Sequence, residues 1–198
     1  YLRRSVGYEI DIKEKRYFSD NNFIGKPIPG YKNNRLIITE ETAKSLKKIQ
    51  QELLKRALGL KIFDGYRPQE AVDYFVRWSK QLNDTLMKNK YYPKVAKLNL
   101  FKSGYIASKS GHSRVSAVDL TIIDAKTSIE LDMGSPYDFF GKESWVDYPD
   151  LTKIQLANRQ LLQNIMLKYN FINYPKEWWH FTLRWEPFPE TFFDFEVE

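Results

Sequence analysis

The chain has 198 residues, a formal charge of +6 and no cysteine. Its length suits one domain or at most two small ones, and 42% hydrophobic against 28% charged residues is globular rather than disordered composition. The missing cysteine excludes disulfides, thiolate catalysis and Cys-bound zinc or iron–sulfur centres, and a total of two histidines excludes any site that needs three.

No apolar run approaches the roughly 18 residues of a membrane helix, so no membrane span is expected. The 31 basic residues are interleaved with 25 acids rather than gathered on one element, so no nucleic-acid partner is expected either. The chain opens on Tyr1 in a basic stretch with no apolar segment of signal-peptide length, and a leader removed before Tyr1 stays open. Oligomeric state is not legible.

Residues 1–38 read as irregular, with Tyr8, Tyr17, Phe18, Phe23 and Tyr31 as aromatic anchors and turn chemistry at Gly25-Lys26-Pro27 and Pro29-Gly30. An amphipathic helix is predicted over 39–58. Thr39 can cap it, Glu40 and Glu41 sit where the helix dipole favours acids, and Gly59 stands where a glycine ends helices. A short strand at 60–63 leads into Asp64-Gly65-Tyr66-Arg67-Pro68, and Pro68 suits the first turn of a second helix running to about Leu86. Residues 105–108 are a short strand candidate, 117–123 a stronger one, and 129–131 would pair across a turn. A third helix covers 152–169, capped by Thr152, with Ile154, Ala157, Leu161 and Ile165 as its apolar stripe. The last strand lies at 178–183. Mixed elements with short strand connections predict an α+β fold: a single domain over 1–198 with a central, mainly antiparallel sheet flanked by about three helices.

The chemistry gathers around the two histidines. His112 lies in Ser110-Gly111-His112-Ser113-Arg114, ahead of the apolar run that carries Asp119. A buried acid needs compensation, which either a bound cation or an Asp–Arg ion pair would supply. His112 and Asp119 are seven residues apart, so a straight strand would put them on opposite faces. They converge only if the chain turns between them, and the small and polar residues at 110–116 allow that. His180 lies in Glu177-Trp178-Trp179-His180-Phe181, which alone reads equally as a Trp-rich core strand. Glu177, three residues earlier, reaches the same face only from a bend, and Pro175-Lys176 fit one.

Taken together, His112, Asp119 and His180 make a three-ligand set for one Zn²⁺ per chain with a fourth position open to water, the layout of a catalytic zinc. Zinc lowers the pKa of such a water toward ~7. Glu177 is the candidate to move its proton without binding metal. Arg67 is the candidate to stabilise the oxyanion of a tetrahedral intermediate.

These residues resemble the VanX-type D-alanyl-D-alanine dipeptidases, which belong to the zinc DD-peptidase family and share a fold with Hedgehog signalling domains. The resemblance rests on Ser110-x-His112-x6-Asp119, Glu177-Trp178-Trp179-His180 and Asp64-Gly65-Tyr66-Arg67-Pro68. It extends through Phe23-x-Gly25-Lys26-Pro27 with Tyr31, Tyr91-Tyr92-Pro93, Gly104 to Ser110, Met133-Gly134-Ser135 with Asp138-Phe139, and Phe192-Phe193-Asp194-Phe195. It implies a bacterial protein of the cytoplasm or periplasm that hydrolyses the small dipeptide D-Ala-D-Ala. It gives His112, Asp119 and His180 as zinc ligands, Glu177 as general acid/base and Arg67 as stabiliser of the intermediate. It further gives Asp138 and Tyr17 as partners of the substrate ammonium, and Ser110 and Tyr31 as contacts of its far end. A DD-carboxypeptidase acting on longer peptidoglycan stem peptides is the enzyme alternative, and a Hedgehog-like zinc binding module the non-enzyme one.

Overall fold

The structure, a computed structural model, describes residues 16–198. The expected anchor Tyr8 lies outside them. Four strands form one antiparallel sheet: β1 (Leu58–Asp64), β2 (Ala117–Asp124), β3 (Phe171–Tyr174) and β4 (Glu177–Leu183), in the order β1-β2-β4-β3. The helices are α1 (Glu40–Leu54), α2 (Gln69–Lys80), the short α3 (Lys88–Tyr91) and α4 (Lys153–Lys168). This is the expected α+β class with an antiparallel sheet, with α3 added to the three helices foreseen.

Thr39 caps α1 as expected, its hydroxyl oxygen accepting the Thr42 N–H at 3.2 Å. The helix stops at Leu54, short of 58, because Ala57 takes a left-handed φ of +56° and Leu58 already belongs to β1. Gly59 is thus a strand residue and not a helix stop. α2 ends at Lys80 rather than near Leu86. Buried Lys97 turns its ammonium onto the carbonyls of Gln81 (2.8 Å) and Asp84 and lies 3.8 Å over the Trp78 ring, satisfying the helix end from a distant segment. The strand expected at 105–108 does not form. Residues 129–131 do pair across a turn, through the Ile123–Glu130 bridge.

α4 has the full capping box of Thr152 and Gln155. Its inward face differs from the expected stripe: Leu162, Ile165 and Met166 are buried with Arg159, while Ile154 is 71% exposed. Arg159 holds the carbonyls of Met133, Glu143 and Trp145, each at 2.6 Å, and so pins the loop between β2 and α4.

Two hydrophobic clusters make the core. One joins α1 and α4 to the sheet through Leu46, Ile49, Val118, Leu120 and Leu162. The other is aromatic and holds Tyr17, Phe23, Phe75 and Trp78. Along β2, Val118, Leu120 and Ile122 face the first cluster, so the pleat sends Asp119 to the opposite face.

Candidate metal centre and active site

Asp119 and His180 are direct partners in the β2–β4 register and therefore share a face. His112 arrives from a 3-10 turn, Gly111–Arg114, that Ser110 caps by accepting the His112 N–H at 3.2 Å. Val115 closes that turn with φ +64°. This is the turn that lets residues seven apart converge.

Three atoms meet at one point. His112 Nε2 lies 3.2 Å and His180 Nδ1 3.0 Å from Asp119 Oδ1, and the two nitrogens are 3.1 Å apart. A tetrahedral zinc with arms of ~2.0–2.1 Å needs ligand atoms roughly 3.3 Å from one another, so the spacing fits. The tautomer fits as well. His112 Nδ1–H donates to the Gly65 carbonyl at 2.6 Å, which leaves a lone pair on Nε2. That lone pair and the Asp119 oxygen oppose each other even with a proton on His180 Nδ1, which lies between them, whereas a cation among the three engages all of them. Burial alone would raise the Asp119 carboxyl, but when the two imidazoles carry protons their charge and hydrogen bonds outweigh it and hold the group well below the usual carboxylate range.

Glu177 opens β4. The register slips between Asn173 and Tyr174, so that Tyr174 pairs with Glu177 rather than with His180, and Glu177 Oε2 lies 3.9 Å from His180 Nδ1. It stays outside the His112–Asp119–His180 group. Burial, then the charge of Asp119, push its carboxyl up to about 8.

Arg67 follows β1, where the register shifts between Ile62 and Asp64. Its Nε and Nη2 both donate to Asp64 Oδ2, at 3.0 and 2.9 Å, and Nη2 reaches Asp119 Oδ2 at 3.4 Å. The guanidinium lies 4.9 Å over Tyr17 and 5.4 Å over Phe75. Tyr17 in turn donates to the Asp138 carboxylate at 3.0 and 3.2 Å. Burial, then Asp119, raise the Asp138 carboxyl well above its ordinary value. Tyr31 donates to Asp64 at 3.1 Å, behind Arg67, and the Ser110 oxygen is engaged by the His112 amide. The structure thus gathers His112, Asp119, His180, Glu177 and Arg67 around one centre, sets the Tyr17–Asp138 pair against Arg67, and gives Tyr31 and Ser110 partners within the protein.

Two residues of this cluster were not foreseen. Asp64 carried a signal, being an acid at the end of an apolar strand three residues before an arginine. Tyr137, which donates to Asp119 Oδ2 at 3.1 Å, carried none. Asp64, Asp119, Asp138 and Glu177 are four carboxyl groups around a single guanidinium, so the pocket holds room for added positive charge.

A His–Asp–His group that could hold a metal ion, an unligated glutamate and an anchored arginine on an antiparallel sheet define a hydrolytic site of the metallopeptidase kind. The chain belongs to peptidase family M15, described as D-ala-D-ala dipeptidase, whose profile matches residues 4–198. It is a peptidase. Its relatives include the D-alanyl-D-alanine dipeptidases of Streptomyces coelicolor, 40% identical over 93% of this chain and 91% of that protein, and of Enterococcus faecalis, 41% identical over the same shares. The Enterococcus faecium dipeptidase is 40% identical over 93% of this chain and 92% of its own. Among the described residues, no helix is long and apolar enough to cross a membrane.

Proposed function

We propose that this chain is a zinc-dependent dipeptidase that hydrolyses D-alanyl-D-alanine to two D-alanines, one zinc per chain, as a single catalytic domain. The observation that carries the reading is Glu177: a carboxylate beside the three convergent ligand atoms but not among them, with a raised proton affinity. His112, Asp119 and His180 would hold the metal. When bound there, zinc would supply a more acidic water and a Lewis acid for the scissile carbonyl.

The chain's own residues do the rest. Glu177 takes the proton of the attacking water as the oxygen–carbon bond forms, then gives it to the leaving amine nitrogen as the carbon–nitrogen bond breaks. The Arg67 fork, fixed by Asp64, donates to the oxygen that becomes negative in the tetrahedral intermediate and has no proton to lose near neutral pH. Asp138 with Tyr17 receives the substrate ammonium. Ser110 and the neighbourhood of Tyr31 serve the far end of the dipeptide.

The test is a panel of D-Ala-D-Ala, L-Ala-L-Ala, N-acetyl-D-Ala-D-Ala and a stem pentapeptide. A charge-assisted contact contributes about 1.5–3 kcal/mol, so N-acetylation should slow cleavage roughly 10–100-fold, and Asp138→Asn should shrink that gap. If the acetylated dipeptide or the pentapeptide is cleaved as fast as the free dipeptide, a carboxypeptidase replaces the dipeptidase reading.

A further inference from the structure

We propose that Tyr137 is a positioning residue for the metal centre: its hydroxyl fixes which oxygen of Asp119 is free to bind. The inference rests on reading His112, Asp119 and His180 as ligands. Asp119 divides its two oxygens cleanly. Oδ1 faces both imidazole nitrogens, at 3.0 and 3.2 Å, and Oδ2 accepts from Tyr137 at 3.1 Å. Arg67 reaches Oδ2 only at 3.4 Å, from a nitrogen already held by Asp64 at 2.9 Å. The short contact on Oδ2 is therefore the tyrosine's. With Oδ2 held, the carboxylate cannot rotate to present both oxygens, and Asp119 remains a ligand through one.

Tyr137 is well placed to hold a partner still. It is 3% exposed, stacked on Phe63 at 4.4 Å and set edge-on to Trp179 at 5.4 Å. Its oxygen also lies 3.3 Å from the Tyr17 hydroxyl, which donates to Asp138. The next residue is Asp138 itself, whose φ of +62° turns the two neighbouring side chains to different partners. One short segment thus touches the proposed ligand Asp119, through Tyr137, and carries Asp138, which Tyr17 holds.

Tyr137→Phe removes one hydrogen bond and leaves the stacked ring in place. Zinc affinity, measured by competition with a chromophoric chelator, separates it from Tyr17→Phe, which alters the same chain of contacts without touching Asp119. Tyr137→Phe should bind zinc about tenfold more weakly than wild type, and Tyr17→Phe within about twofold of it. Thermal unfolding of the stripped proteins checks that both variants fold. The visible bands of the cobalt-loaded proteins should shift for Tyr137→Phe alone. Unchanged affinity in Tyr137→Phe, with normal binding by the wild type, overturns this inference by itself. An equal loss in both variants overturns it too, because it would mark a general loosening. A wild type that takes up no stoichiometric zinc overturns the ligand reading and this inference with it.

Discussion

Glu177 carries two consequences of its position that can be separated in solution. As a proton carrier it should be dispensable for metal but not for turnover: Glu177→Gln should keep its metal and lose about 10²–10⁴-fold in kcat, and a loss of metal would make it a ligand instead. As a buried carboxyl it should weaken the metal-free fold at high pH. The unfolded chain releases this proton near pH ~4.3. The folded chain keeps it until about pH 8, so stability is lost as pH rises between those values. Metal-free Glu177→Gln should therefore be more stable than the metal-free wild type at pH 8, on the order of 2–4 kcal/mol, and equal to it near pH 4. Urea unfolding at the two pH values checks this. Arg67→Ala should depress kcat by roughly 10²–10³-fold, with little recovery in Arg67→Lys, because an ammonium lacks the fork that Asp64 holds. A fall confined to KM would assign Arg67 to the substrate carboxylate.

At the scale of elements, what could be read in advance was local. Thr39 and Thr152 each bind an amide three residues on, and the helices start where those residues announce it. β2 was legible from its run of buried β-branched residues, and the β1 core of Leu60 to Phe63 from its position before Asp64. What could not be read depended on distant partners. Lys97 ends α2 from sixteen residues past Gln81, and Arg159 turns inward because three carbonyls of the loop from Met133 to Trp145 await it. β3 is four residues long and exists as a partner of β4. The loop held by Arg159 carries Tyr137 and Asp138. Within it, Gly134 has φ +83°, and a Cβ there would meet Leu151 at 2.5 Å. Arg159→Met would strand the buried Met133 carbonyl and the part-buried ones of Glu143 and Trp145, at about 3 kcal/mol together. Thermal unfolding should fall by roughly 6–12 °C for a chain this long, and the preference for D-Ala-D-Ala over its N-acetyl form should shrink with it. A variant with unchanged melting and unchanged preference would show that the loop is held by other contacts.

Over the whole molecule, the site lies where the sheet core meets the aromatic cluster, with Tyr137 from the first and Tyr17 from the second in contact at 3.3 Å. Among the described residues, Tyr17 meets there the stretches 64–67, 110–119, 137–138 and 177–180. That His112, Asp119, His180 and Glu177 come together was legible because each sits in a short run of unusual composition and the histidines and Glu177 need bends that the sequence offers. Tyr137 was not, because nothing near it in the chain marks a hydroxyl as the partner of an acid eighteen residues away. The central claim, that His112, Asp119 and His180 hold one zinc on which hydrolysis depends, is tested most directly by titrating chelator-stripped protein with zinc while following D-alanine release from D-Ala-D-Ala. Turnover should be absent at the start, rise in proportion to added zinc and level off at one equivalent per chain, with His180→Ala flat throughout. Full turnover in the stripped protein, or a normal titration in His180→Ala, would contradict it.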